Sequence, residues 1–218
     1  MTLTPGTVMT WNDMIQTIPG CTVSRELMPI WDGGAILFAL AEDTDISPET
    51  WSSSRLIWNL QGHVDVYTSN KDGVTLDPGE AVWTLPDRPN GFRTKTDTLY
   101  LELAADNNQS SMRNLKPGEV FTLADLVPVQ KGTIVNRDLF QSNGMKFVVM
   151  AFDEGTGLSE HAAPGQALVT VLEGDAVVTY EGVDHTLHAG ESIAFAPQGR
   201  HAIKALTPFK MSLLIALA

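Results

Sequence analysis

Apolar residues along this chain fall in short runs, and the breaks between them are rich in Gly, Asn, Asp and Pro. Ala35–Glu42 (AILFALAE), Leu56–Gln61 (LIWNLQ), Val64–Ser69 (VDVYTS), Glu80–Leu85 (EAVWTL) and Leu99–Ala104 (LYLELA) are of strand length. Lys146–Phe152, Ala167–Glu173, Ala176–Glu181, Ser192–Pro197 and Lys210–Leu217 form a second such series. Short runs with turn residues at strand-like spacing predict a sandwich or barrel. Runs such as ALVTVL are apolar on both faces, so both faces are expected to be covered. Two places depart from the β pattern. Thr10–Asp13 (TWND) and Thr122–Asp125 (TLAD) are Thr-x-x-Asp stretches resembling a capping box, which predicts a short helix at each.

Those two stretches lie 112 positions apart, and the spacing extends beyond them. Residues 9 to 41 match residues 121 to 153 without a gap: Thr10 falls on Thr122, Asp13 on Asp125, Gly20 on Gly132, Arg25 on Arg137 and Leu27 on Leu139. Further along, Leu76–Pro86 (LDPGEAVWTLP) matches Leu187–Pro197 (LHAGESIAFAP) at an offset of 111. Two copies of this length are each a domain rather than turns of a solenoid. The expected domains are 1–108 and 109–218, with the polar stretch Ala105–Glu119 as the linker.

Charge then narrows the partners. A net charge of −12 repels phosphate backbones and anionic headgroups, so neither nucleic acid nor a membrane surface is expected. With neither a basic-then-apolar leader nor a run of 18 apolar residues, the expected location is cytoplasmic. The single cysteine, Cys21, excludes an internal disulfide and a thiolate metal cage, and it reads as a buried structural thiol.

The second copy carries the motif chemistry. Gly155 is followed after five residues by His161, and Gly174 closes the segment; Gly190 leads to Pro197, Gly199 and His201. In this pattern the chain resembles the cupins. The resemblance implies an all-β fold of two tandem cupin jelly-roll barrels (a bicupin), with a short helix before each barrel. It also implies a site inside the second barrel, the first copy being a degenerate barrel. Cupin sites give three histidines and a glutamate to a metal. Here those positions read His161, Ala163, Ala167 and His201, so two imidazoles remain. Imidazoles suit Zn, Ni, Cu and Fe, and the divalent metal the resemblance implies is Zn, Ni, Fe or Mn, but two imidazoles alone hold a metal weakly. Gln166, beside the lost glutamate, is a third candidate if its strand is bulged. The two alanines leave room for an apolar pocket. Glu160, next to His161, points away on a regular strand, and His185 and His188 read as surface or edge residues. In the first copy the counterparts of His161 and His201 are Glu49 and Asn90, and His63 sits at a turn. Trp51, Trp58, Trp83 and Phe92 read as core packing. The function implied is a binding protein for a small molecule or divalent metal, with its site at His161, Gln166 and His201. The alternative is a metal-dependent dioxygenase, isomerase or lyase acting on a small organic acid or sugar derivative. Pairing with a second copy, as a homodimer, is left open.

Overall fold

The computed structural model describes residues 3–28, 34–69, 72–105, 115–141 and 144–217. Most of the stretch read as a linker, residues 106–114, lies outside them. The chain begins with β1 (Val8–Thr10) and α1 (Trp11–Met14). There follow β2 (Thr22–Met28), β3 (Ala35–Leu40), β4 (Asp45–Thr50), β5 (Ser54–Gln61), β6 (Val64–Ser69), β7 (Asp72–Leu76), β8 (Glu80–Thr84), β9 (Pro89–Arg93) and β10 (Thr98–Ala105). The second repeat opens with β11 (Val120–Thr122) and a 3₁₀ turn (Leu123–Leu126), then β12 (Ile134–Gln141), β13 (Met145–Phe152), β14 (Gly157–Ala162) and β15 (Ala167–Glu173). It ends with β16 (Ala176–Tyr180), β17 (Val183–Leu187), β18 (Glu191–Phe195), β19 (Arg200–Ala205) and β20 (Phe209–Ala216).

Each barrel pairs a six-stranded with a four-stranded antiparallel sheet. The N-terminal barrel has the orders β11-β8-β5-β10-β3-β2 and β4-β9-β6-β7; the C-terminal barrel has β1-β18-β15-β20-β13-β12 and β14-β19-β16-β17. The edge strands β1 and β11 are exchanged: Val8–Thr10 pairs with β18, and Val120–Thr122 pairs with β8. One compact unit is therefore Met1–Met14 with Leu123–Ala218, and the other is Ile15–Thr122. The division 1–108 and 109–218 is the linear reading of these two units, before that exchange.

The start of α1 shows why the Thr-x-x-Asp signal works. Asp13 Oδ2 accepts hydrogen bonds from Thr10 N and Thr10 Oγ1, both at 2.7 Å. Those bonds favour the ionised carboxyl and lower its pKa. Inside the C-terminal barrel, Phe152, Val169, Val171, Ile193, Phe195 and Phe209 form one buried cluster. The N-terminal core is aromatic, with Tyr100 stacked between Phe38 and Phe92 at centroid distances of 4.9 and 4.7 Å. Cys21 corrects the sequence expectation, because it is exposed. It sits at the turn entering β2, where the backbone is held through Cys21 N to Ile18 O and Ala41 N to Cys21 O, and the thiol has no core to enter. Among the described residues no helix is long and apolar enough to cross a membrane.

Candidate functional site

His161 and His201 come together as a direct cross-strand pair of β14 and β19. Leu158, on β14, is opposite Ile203 and packs on the barrel core. Plain alternation from Leu158 would turn Glu160 inward and His161 outward. A bulge intervenes: three steps from Leu158 to His161 oppose two from Ile203 to His201. The extra residue re-phases the strand, so His161 shares the face of His201 while Glu160 pairs with Arg200 outside. Gly157 permits the close approach of β14, since a Cβ there would collide with the Ile203 carbonyl oxygen.

The two imidazoles lie 4.2 Å apart between ring centroids, tilted by 55°. His161 is exposed, whereas His201 is buried and stacks on Phe195 at 4.2 Å. Burial lowers the His201 pKa; the hydrogen bond to Gly199 opposes the shift and His161 adds to it. Each Nδ1 faces a carbonyl oxygen two residues back, Ser159 O at 2.9 Å for His161 and Gly199 O at 3.1 Å for His201. A carbonyl can only accept, so Nδ1 donates and the neutral ring keeps its lone pair on Nε2. The pair therefore offers two Nε2 acceptors.

The remaining family positions add no ligand. Ala163 and Ala167 are buried in the core cluster with Phe195 and Val169. Gln166 precedes Ala167 and is half-buried, and its carbonyl accepts from Ala216 N at 2.8 Å. β15 sends Ala167, Val169 and Val171 into the core, which puts position 166 on the opposite phase; the bulge lies on β14 instead. Among the described residues no group of three His, Cys, Asp or Glu could hold a metal ion. Two imidazoles fall short of the three protein ligands usual at a catalytic centre, so the described residues alone do not complete a metal site.

The other histidines are peripheral, as their turn and edge positions predict. His188 Nδ1 meets Asp175 at 2.7 Å, and His63 Nδ1 meets Asp77 at 2.8 Å. At the repeat offsets these are one pair with acid and base exchanged. The Asp175 hydrogen bond raises the His188 pKa. Asp175→Asn is expected to return His188 toward the ordinary value of 6.5, as read by NMR titration. Because the folded pKa is the higher one, the contact's contribution is present below 6.5 and lost as pH rises through the folded value. An unmoved titration would show that the contact is not made in solution.

The N-terminal barrel repeats the bulge with different chemistry. Glu49 is opposite Asn90, with the same register shift after Ile46. Asn90 is buried and its Nδ2 donates to Arg88 O, two residues back, just as His201 donates to Gly199 O. Trp51 and Arg55 stand where the second repeat has Ala163 and Ala167, and the Arg55 guanidinium lies 5.1 Å from the Trp51 ring centroid. The sequence reading missed Glu102, buried to 3 % exposure on β10. Neither Tyr100 OH nor Glu102 Oε1 has a hydrogen-bond partner among the described residues. Burial pushes the Glu102 carboxyl up to about 7; Arg55 pulls it down and Glu49 pushes it further up.

Comparison with known proteins agrees with the two-barrel fold. A cupin domain model matches residues 148–216. No curated protein matches the chain in sequence. Among solved structures, a cupin 2 conserved barrel domain protein from Leptotrichia buccalis is 24 % identical over 98 % of both chains, with a TM-score of 0.83. Salicylate 1,2-dioxygenase from Pseudaminobacter salicylatoxidans is 12 % identical over 84 % of this chain and 70 % of its own, with a TM-score of 0.60. A variant of Bacillus subtilis oxalate decarboxylase is 11 % identical over 100 % of this chain and 78 % of its own, with a TM-score of 0.55. At these identities the likeness to solved structures is one of fold. Residues 148–216 of this chain match a cupin domain, and the chain as a whole has the two-barrel cupin fold.

Proposed function

We propose that this chain is a small-molecule-binding cupin whose C-terminal barrel recognises a hydroxyl-bearing organic acid through His161 and His201. The carrying observation is the imidazole pair, in which both Nδ1 atoms are tied to backbone carbonyls and both Nε2 atoms are left as acceptors on one face. Two neighbouring acceptors call for a ligand that brings hydrogen-bond donors. The names of the dioxygenase and decarboxylase above place organic acids within the chemistry of this fold, and that supports the ligand class. A second reading rests on the same lone pairs: a divalent ion such as Zn, Ni, Fe or Mn held jointly by the imidazoles and a chelating small molecule. Gln166 contributes to either reading only through a local rearrangement of the chain before β15.

The test is thermal stabilisation by a panel of organic acids and sugars, with EDTA and with each metal, for wild type and His161→Ala. His161 is exposed, so its removal leaves the core intact. We expect stabilisation of the wild type by an organic ligand in EDTA, and its loss in His161→Ala. Stabilisation that requires added metal and disappears in His161→Ala selects the second reading. Stabilisation unchanged in His161→Ala removes both.

A further inference from the structure

The two repeats differ sharply at a pair of equivalent positions. In the C-terminal barrel Tyr180 and Phe195 stack with centroids 5.3 Å apart. Gly6, beside β1, lies so close to the first ring that a Cβ would stand 2.7 Å from Tyr180 Cδ1. At the repeat offsets the counterparts of Tyr180 and Phe195 are Thr68 and Thr84. The registers agree with that equivalence. Val66 is opposite Phe92 as Val178 is opposite Ile203, and Arg55 is opposite Thr84 as Ala167 is opposite Phe195. Two threonines fill far less space than two aromatic rings. What remains is a cavity of about 430 Å³, walled by Thr68, Thr84, Val74, Val82 and Gly118, the counterpart of Gly6.

That volume is in the range of small-molecule sites. Its polar equipment is specific. Asn90 Nδ2 donates to Arg88 O, which fixes the amide at the lining, and the same amide carries an acceptor oxygen, Oδ1. The guanidinium of Arg88 is the charge on the lining, and the described lining residues include no carboxylate although the chain carries −12 overall. A guanidinium takes a carboxylate through paired N–H donors, and Asn90 Oδ1 takes a hydroxyl hydrogen. Thr84 and Asn90 are also the cross-strand partners of Arg55 and Glu49, which brings the polar groups around the buried Glu102 beside the cavity.

We propose that the N-terminal barrel is a second, separate binding site, taking a small hydroxycarboxylate with its carboxylate on Arg88 and a hydroxyl on Asn90. The site contains no histidine and stands independently of the C-terminal pair. It exists because the first repeat has threonines where the second has stacked rings.

The probes are glycolate, malate and gluconate, with glycolamide and sorbitol as uncharged matches, titrated calorimetrically into the whole chain. The wild type is expected to bind at least one of the acids and to bind its uncharged match at least tenfold more weakly. Arg88→Gln, a change at an exposed residue, weakens the acid at least tenfold. Thr68→Tyr, which installs the ring of the other barrel, abolishes that binding, and His161→Ala leaves it unchanged. If Thr68→Tyr does not fold, Arg88→Gln and the uncharged matches decide alone. Failure of all three acids to bind would overturn the proposal, as would binding that survives Arg88→Gln in a chain also carrying His161→Ala, where the C-terminal site is removed. Binding lost in His161→Ala but kept in Arg88→Gln would assign the ligand to the C-terminal site and overturn it equally.

Discussion

Between pH 4.5 and 8 the wild-type chain is expected to lose about 3 kcal/mol of stability relative to Glu102→Leu. The unfolded chain releases the Glu102 proton near 4.5, whereas the folded chain holds it to about 7 because the carboxyl is buried on the inner face of β10. In that window the unfolded state binds fewer protons, so stability falls as pH rises and the loss is complete above 7. Leucine is the residue of the second repeat at this position, Leu213, so the side chain has a precedent in the same fold. Arg55 loses its neighbouring carboxylate in the variant, which offsets its absolute stability but not the pH dependence. Urea unfolding followed by tryptophan fluorescence reads this directly, because Trp51, Trp58 and Trp83 lie within the unit Ile15–Thr122. Parallel curves for the two proteins across pH would show that Glu102 ionises freely in the fold. A buried acid with an unpartnered oxygen lowers stability, and its retention is explained if it serves the polar interior of the N-terminal barrel.

Phe195→Ala carries the other large effect, a destabilisation of about 3–5 kcal/mol from the lost apolar contact and the cavity it leaves. Phe195 is fully buried and sits between Tyr180 and His201, so the substitution also removes the platform under the candidate imidazole. Burial is the leading cause of the lowered His201 pKa. Opening the site is therefore expected to move that pKa up toward 6.5. In the wild type the depressed value costs stability as pH falls below 6.5, since the unfolded chain takes the proton first; that acid sensitivity shrinks in the variant. Denaturant midpoints and an NMR titration of the His201 ring test both parts. A loss under about 1 kcal/mol would contradict the packing assignment, and an unmoved His201 titration the electrostatic one.

Much of the fold was legible because strand length, turn residues and the offset of 112 are local or self-referring properties of the chain. The ten strand runs read from it all correspond to strands, and Thr10 with Asp13 forms the expected capping contact. Short strands such as β4, β9, β14 and β19 were not readable from hydrophobic pattern, since β4 and β14 have no buried position and the buried positions of β9 and β19 include Asn, Gly and His. Those are the strands that carry Glu49, Asn90, His161 and His201, and motif spacing found these residues where periodicity did not. Cys21 was misread because an apolar neighbourhood in sequence says little about a turn.

By itself the sequence determined the duplication, the two jelly-roll barrels and the positions of the two surviving imidazoles, because spacing along a chain is preserved in register across paired strands. Only the tertiary structure decided which way those side chains face, since one extra residue in β14 inverts the alternation from Leu158 to His161. It also decided that β1 and β11 each complete the other repeat's barrel, a choice that identical strand patterns leave degenerate. The same holds for the inward turn of Glu102 within LYLELA, a run apolar on both faces that does not say which side is the core. The space opened by Thr68 and Thr84 belongs with these, because volume depends on what stands opposite a residue rather than beside it.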